Sequence, residues 1–478
     1  MKKNDHPYKT DWCTWLLSFS HVLVILVLFF AFWRVFRYGF VFGNNTDGAA
    51  RYDLYVEILY GVLLLFFGRA YNSYLFGYLR IRELVFRQLI SQLFSTCIVY
   101  GIVTLAWNRL LSPICFVQML LICLVCDVVC SVFGNKVYYK HNPPKHSIIL
   151  YHNDLDLQCL NDLKGKPMEK LYIFDKQLCT VGMDFASIKC ELDPCDVIFV
   201  GRGIEAAVRN EIVMYCAQMN KMSIFLPHIS DVLVKGSEHN PAFSSPVLTS
   251  SRKKVSIEYA FAKRACDILA AALGIVVFSP VMAVTALLIK LYDKGPALYK
   301  QTRLTQNGRE FQILKFRSMR EDAEKDGKAR LSTGEHDDRV TPIGRVIRKC
   351  RLDELPQLLN IFVGDMSIVG PRPERPEIAK EYYEQLPEFS LRLQVKAGLT
   401  GYAQIYGKYN TEPYEKLEFD LLYINSMSVL TDLKLMFATV GILFSKESTE
   451  GVEVGQITAM NCEISADSTE NDAETVAK

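Results

Sequence analysis

The stretch KRACDILAAALGIVVFSPVMAVTALLIKLYDKG, residues 263–295, decides how the chain is built. It carries no charge from Ile268 to Ile289, and so reaches the roughly 20 residues that cross a bilayer core. Its flanks argue against a crossing. Lys263 and Arg264 precede the run and Lys290 and Lys294 follow it, and Lys/Arg clusters hold their end of a segment in the cytoplasm. Ser279-Pro280 falls near the middle, where a proline removes a backbone donor and kinks a helix. A re-entrant helix that enters one leaflet, turns at Ser279 and Pro280 and leaves on the same side satisfies both signals. The serine hydroxyl can bond carbonyls freed at the break. A kinked spanning helix is the competing form, and it would carry the next part of the chain away from cytoplasmic nucleotides.

Working toward the N-terminus, four more apolar segments appear: near Trp15 to Trp33, Leu54 to Leu75, Leu89 to Trp107 and Pro113 to Phe133. The second holds Glu57 and Arg69, so its limits are the least defined. Lys2, Lys3, Lys9, Arg80, Arg82, Arg87, Lys136, Lys140 and Lys145 lie on one side, against Arg34, Arg37, Arg51 and Arg109 on the other. That bias places the N-terminus and everything after residue 136 in the cytoplasm. Half of the 478 residues are hydrophobic and the net charge is only +2, so no nucleic-acid partner is expected. The 14 cysteines form no dense framework and read as reduced thiols. Cys123 and Cys126 make a C-x-x-C inside an apolar run, where packing is the expected role.

Between residues 146 and 235 the pattern changes. SIILY, KLYIF, DVIFV and SIFLP alternate with helical stretches, the signature of a small α/β domain with a parallel sheet. GRGIEA, Gly201 to Ala206, matches the G-x-G-x-x-A turn of dinucleotide sites. It follows a late strand, and no acidic residue ends the next one, so a tight turn is the expected reading. Residues 236–255 are polar with two prolines and read as a linker. Residues 446–478 read as a disordered acidic tail.

Beyond the re-entrant segment come polar motifs. Asn307-Gly308 flanked by alternation is a hairpin signal. Then follow KFRSM with Lys315 and Arg317, RKCRLDELPQLLN with Arg348, Asp353 and Glu354, GDMSIVGPRPE with Pro371, Arg372 and Pro373, and KAGLTGYAQ. Clustered arginines bind phosphates. A carboxylate among them is expected to stay ionised, able to ligate Mg²⁺ or attack phosphorus. Asp353 and Glu354 also suit a helix N-terminus with a proline in its first turn, and the residues alone leave these roles open.

The region from Lys263 to about Phe444 resembles the bacterial sugar transferases, the polyprenyl-phosphate sugar-1-phosphate transferases, in its long form. KR-x-x-D, SP, KFRSM, LDELPQL-x-N, GDMS-x-VGPRPE and GLTGYAQ occur in the family's order. The resemblance implies a membrane protein with a four-helix transmembrane bundle (1–138), a Rossmann-like α/β cytosolic domain (146–235), and a mixed α/β catalytic domain with a re-entrant membrane helix (256–445). It implies transfer of a sugar-1-phosphate from a UDP-sugar to undecaprenyl phosphate, with release of UMP. This is the initiating step of exopolysaccharide, capsule or O-antigen synthesis at the bacterial cytoplasmic membrane.

In that picture Asp353 is the nucleophile, and Glu354 handles a proton or helps Asp353 hold Mg²⁺. Arg348, Lys315 and Arg317 bind phosphate, and Pro371, Arg372 and Pro373 lie near the uridine. Lys263 and Arg264 sit at the headgroup level, with Asp267 expected to pair with one of them. Ala397 stands where the family has proline, Thr305 where it has glycine, and Lys408 where it has arginine. The α/β domain is expected to be regulatory or to serve assembly, and a homo-oligomer is possible. A catalytically silent membrane scaffold is the rival from another class, and a glycosyltransferase releasing UDP is the enzymatic one.

Overall fold

The computed structural model describes residues 12–40, 49–108, 112–162, 168–239, 248–249, 252, 255–293, 295–320, 339–407 and 412–442. The chain divides into two units, Met1–Pro227 and His228–Lys478.

The first unit opens with four helices, α1 (Trp12–Phe40), α2 (Ala49–Ala70), α3 (Ile81–Ala106) and α4 (Pro113–His141). α1 packs on α2 and α4, and α3 packs on the same two. Their outer faces expose Leu23, Val27, Ile58, Val62, Ile102, Leu121 and Val125. Their interior holds aromatics, with Phe29 stacked on Tyr60 at 3.8 Å, and polar groups. The ring of His21 meets Asp127 Oδ1 at 2.9 Å, and Gln92 Nε2 donates to the same oxygen at 2.8 Å. Apolar side chains outside and polar ones inside suit lipid as the solvent.

Among the described residues, four helical segments are long and apolar enough to cross a membrane: Trp12–Phe36, Ile81–Ala106, Pro113–His141 and, in the second unit, Ile257–Tyr292. α2, expected as a span, is not one of them, because it carries Asp53, Glu57 and Arg69. Asp53 is buried within the bundle and accepts a hydrogen bond from Trp33 Nε1 at 2.8 Å.

The four expected strands follow: β1 (Lys145–Tyr151), β2 (Tyr172–Cys179), β3 (Val197–Val200) and β4 (Met222–Phe225). They form one parallel sheet in the order β2-β1-β3-β4. α5 (Asp154–Asp162), α6 (Phe185–Leu192) and α7 (Ala206–Gln218) connect them. Ile148, Leu150, Ile198 and Val200 pack on one face, and Ile149, Val197 and Phe199 on the other with Tyr138 of α4. Burial on both faces explains the nearly unbroken apolar runs.

The second unit begins with α8 (Ile229–Lys235). The sequence grouped these residues with the α/β domain. Instead, Ile229 and Val232, one turn apart, enter the core of this unit, and Asn425 Nδ2 donates to Val232 O at 2.7 Å. In the expected linker, β5 (Glu238–His239) pairs antiparallel with β6 (Leu248–Thr249). The expected tail lies outside the described residues.

α9 (Ile257–Asp293) is helical throughout, with Pro280 inside it, and Ser279 Oγ donates to Val276 O at 2.8 Å. Val276, Val277, Val284, Leu287 and Leu288 are exposed, whereas Ala271 joins the main core and Ile289 packs on Phe316 and Ile347. The hairpin of β7 (Leu298–Leu304) and β8 (Glu310–Phe316) turns at Asn307 and Gly308, whose φ values are 58° and 74°. The unit continues through α10 (Pro342–Lys349), α11 (Gln357–Val363), β9 (Ser367–Val369), α12 (Pro376–Gln385), β10 (Gly398–Thr400), α13 (Tyr402–Tyr406), α14 (Pro413–Asn425) and α15 (Val429–Ile442). β9 and β10 are parallel. A Cβ on Gly398 would lie 2.1 Å from Gly370 N, so VGPRP and GLTG meet only as glycines.

Candidate active site

The paired acids follow α10, after a residue in left-handed backbone, Arg351 at φ 54°. Such a conformation costs a non-glycine residue about 1–2 kcal/mol and is found where the surroundings enforce it. A short 3-10 turn, Leu352–Glu354, then leads through Leu355 and Pro356 into α11.

The two acids meet different environments. Glu354 Oε1 accepts from Arg372 Nη2 at 2.7 Å, with Lys315 Nζ and Arg351 Nη1 each 3.8 Å away. Burial alone would raise its pKa, but Arg372, Lys315 and Arg351 outweigh burial and hold the carboxyl well below its usual range. Asp353 is buried, and its Oδ1 has no hydrogen-bond partner. Burial, and then the charge of Glu354, push its pKa up, against the pull of Lys315, Arg348 and Arg351. The expectation of a depressed carboxyl pKa therefore fits Glu354 and fails for Asp353, because burial and the charge of Glu354 outweigh the cations there. Burial pushes the Lys315 ammonium down to about 8 in spite of Glu354.

Arg372 is aimed by a pinned loop. The carbonyl of Pro371 accepts from Gly398 N at 2.8 Å, that of Arg372 from Arg392 Nη2 at 2.9 Å, that of Pro373 from Arg303 Nη1 at 3.0 Å, and that of Glu374 from Leu304 N at 3.0 Å. Arg392 is buried and also pairs with Asp420 at 2.8 Å and Glu374 at 3.4 Å. Asn360 ties α11 to β8, accepting from Leu314 N at 3.0 Å and donating to Gln312 O at 2.8 Å. This holds Lys315 opposite the acids.

The structure thus brings together Asp353, Glu354, Lys315, Arg348 and Arg372, with Pro371 and Pro373 buried on either side of Arg372. Arg317 is buried at the base of the hairpin, so close to Gly295 that a Cβ there would meet its Nη1 at 2.3 Å. Lys263 and Arg264 are engaged within the unit. Lys263 Nζ reaches Asp432 Oδ2 at 2.9 Å and Val369 O at 3.1 Å, and Arg264 caps the end of α11 through Ile361 O and Phe362 O. Asp267 pairs with neither. Its Oδ1 accepts from Ile368 N at 3.0 Å, because β9 offers a nearer, buried donor. Sequence reasoning missed Arg351, Arg303, Arg392 and Asn360 as parts of this site. Arg351 stands two residues before Asp353, and Asn360 closes the LDELPQL-x-N motif. Arg303 and Arg392 lie far off in sequence and carry no local signal.

Two departures from the family pattern meet in space. Ala397 N donates to Thr305 Oγ1 at 3.2 Å, and Thr305 Oγ1 donates to Asp365 O at 3.0 Å. Proline at 397 has no N–H to give, and glycine at 305 has no hydroxyl to receive it. In this chain the Thr305 hydroxyl therefore serves both the Ala397 N–H and the Asp365 carbonyl. Lys408 lies outside the described residues.

A divalent cation is tested by the donors present. No group of three or more His, Cys, Asp or Glu side chains gathers to hold a metal among the described residues. Mg²⁺ commonly takes one or two carboxylates and completes its shell with substrate phosphates and water. The unpartnered Oδ1 of Asp353 fits that pattern. Glu354, already surrounded by three cations, does not.

A buried carboxylate with a free oxygen, ringed by cations in a unit that carries an apolar 37-residue helix, defines a class: a membrane-attached protein built to handle phosphate esters. Residues 258–446 match the bacterial sugar transferase model. Over 191 residues the chain is 42% identical to the UDP-glucose:undecaprenyl-phosphate glucose-1-phosphate transferase of Caulobacter vibrioides, covering 39% of this chain and 71% of that protein. Over 185 residues it is 42% identical to the UDP-N-acetylgalactosamine-undecaprenyl-phosphate N-acetylgalactosaminephosphotransferase of Aeromonas hydrophila, covering 38% of this chain and 43% of that protein. It is 39% identical over 193 residues to the exopolysaccharide production protein ExoY of Rhizobium meliloti, covering 37% and 84%. The chain belongs to the bacterial sugar transferase family.

Proposed function

We propose that the chain transfers a sugar-1-phosphate from a UDP-sugar to undecaprenyl phosphate through a phospho-Asp353 intermediate. The unpartnered, buried Oδ1 of Asp353 beside an already neutralised Glu354 carries the reading. A carboxylate oxygen of Asp353 attacks the β-phosphorus, the bond to the bridging oxygen breaks, and UMP leaves with the electron pair. A phosphate oxygen of the lipid then attacks the aspartyl phosphorus and returns the carboxylate, giving ping-pong kinetics. Lys315, Arg348, Arg351 and Arg372 offset charge on the transferred phosphoryl group. Glu354, with its depressed pKa, is a poor proton acceptor and serves to gather Arg372 and Lys315. Mg²⁺, held by Asp353 and the diphosphate, would supply further charge neutralisation.

In this reading α9 is re-entrant. Lys263 near one end and Ile289 near the other both engage the same unit, while the apolar middle is exposed. That favours entry and exit on one side, and with the Lys/Arg flanks of the run it supports a catalytic unit on the cytoplasmic face of the bacterial inner membrane. The product would initiate exopolysaccharide, capsule or O-antigen synthesis.

Purified protein with Mg²⁺, undecaprenyl phosphate and a panel of UDP-sugars tests this. UMP release with a matching sugar is expected. Release of UDP would mean ordinary glycosyl transfer, and release of neither nucleotide would favour a silent scaffold.

A further inference from the structure

The turn Gly201–Gly203 sits where an open parallel sheet places its ligand. In the order β2-β1-β3-β4, the chain leaves β1 toward β2 and leaves β3 toward β4. The crevice between the C-terminal ends of β1 and β3 is therefore the topological switch point. In dinucleotide folds the N–H groups of a glycine-rich turn hold a phosphate there.

Here those N–H groups are already engaged. Asp156 Oδ2 accepts from Gly203 N at 2.8 Å and from His152 N at 3.3 Å, and Oδ1 accepts from Arg202 N at 3.1 Å. Asp156 lies on the first turn of α5 and is buried. Its own N–H donates to Asn153 Oδ1 at 2.8 Å, which fixes the side chain's base. The glycines are explained by the same carboxylate. A Cβ on Gly201 or Gly203 would lie 2.8 or 2.9 Å from Asp156 Oδ2. The close approach that a pyrophosphate demands elsewhere is demanded here by an aspartate of the chain.

We propose that Asp156 is the resident anion of this crevice, so that the α/β domain keeps a dinucleotide-type turn whose phosphate position is filled from within. The domain then takes no nucleotide and serves as a structural module. Removing the carboxylate turns the crevice into an open site for a small oxyanion.

The test uses the full chain in detergent and does not depend on catalysis. Wild-type protein titrated with NADH should show no saturable fluorescence change. Asp156→Ala should unfold several degrees lower, since it removes the buried acceptor shared by the N–H groups of His152, Arg202 and Gly203, and formate or inorganic phosphate should restore part of that loss saturably. Asp156→Asn, which keeps one acceptor oxygen, should fall between and respond less. Anion binding in the second unit affects all three proteins alike and cancels in the comparison. Saturable NADH binding by the wild type overturns the proposal even if the variants do not fold. An anion response of equal size in wild type and Asp156→Ala also overturns it.

Discussion

Asp156 and Asp353 are both buried aspartates that open an α-helical region, and they have opposite fates. Asp156 has backbone N–H partners on both oxygens, whereas Asp353 keeps a bare Oδ1. In the first unit the glycine-rich turn spends its donors on its own carboxylate, and the site is closed. In the second Arg372 donates to Glu354, and its neighbour stays unsatisfied. A buried polar atom without a partner costs about 1–3 kcal/mol. In the proposed reading, a substrate completes the bonding that Asp353 lacks.

The largest expected break in this contrast is at Arg372. Arg372→Ala removes the 2.7 Å partner of Glu354, and kcat/KM for UMP release should fall roughly 10²–10³-fold, as for other groups that stabilise developing charge. Arg392→Lys, which keeps the charge but loses the fork that grips Arg372 O and Asp420, should cost about tenfold in the same assay.

The pH profile comes next. A lysine lowered to about 8 loses its proton as pH rises through that value, so activity should decline on the alkaline side near pH 8. Lys315→Arg stays charged, and the decline should move upward or vanish. If the limb is unchanged in that variant, Lys315 is not its origin.

The Thr305–Ala397 pair predicts a smaller, non-additive effect on stability. Thr305→Gly strands the buried Ala397 N–H and should destabilise by about 1–3 kcal/mol in thermal unfolding. Adding Ala397→Pro removes the donor and should recover much of the loss. Simple addition of two destabilisations would show that the contact is incidental.

The smallest effect is expected at Asp420. Burial, against the pull of Arg392, raises its pKa to about 6. Lys416 on its own helix and Glu374 on the loop are the other charges that bear on it. As pH falls through 6 it gains a proton and Arg392 loses an ionic partner. Activity should drop about two- to fivefold on that side, and Asp420→Asn should flatten the limb.

Much of this was legible in the sequence. Strand-length apolar runs read correctly as a parallel sheet because burial on both faces leaves no other composition, and Asn307-Gly308 read correctly as a turn because few residues accept positive φ. The cluster around Asp353 and Glu354 was legible as motifs. The division of labour between the two acids was not, because it depends on which carboxylate the cations reach in space. Arg303 and Arg392 were hidden for the same reason, acting through carbonyls of a loop about 70 and 20 residues away in sequence. The charges that set α2 apart from the other three helices were visible in the sequence, whereas the hydrogen bond by which Trp33 satisfies Asp53 was not. α8 was misassigned because its apolar stripe fits either unit.

The central claim is the covalent role of Asp353, and mass spectrometry of the protein after a short exposure to UDP-sugar without lipid acceptor tests it most directly. A phosphosugar adduct on the peptide bearing Asp353, formed with UMP release and discharged by undecaprenyl phosphate, is the predicted result. It should be absent from Asp353→Asn, whose turnover should fall by about 10³-fold or more. Full turnover with no adduct on quenched protein, or turnover that survives in Asp353→Asn, would contradict the account.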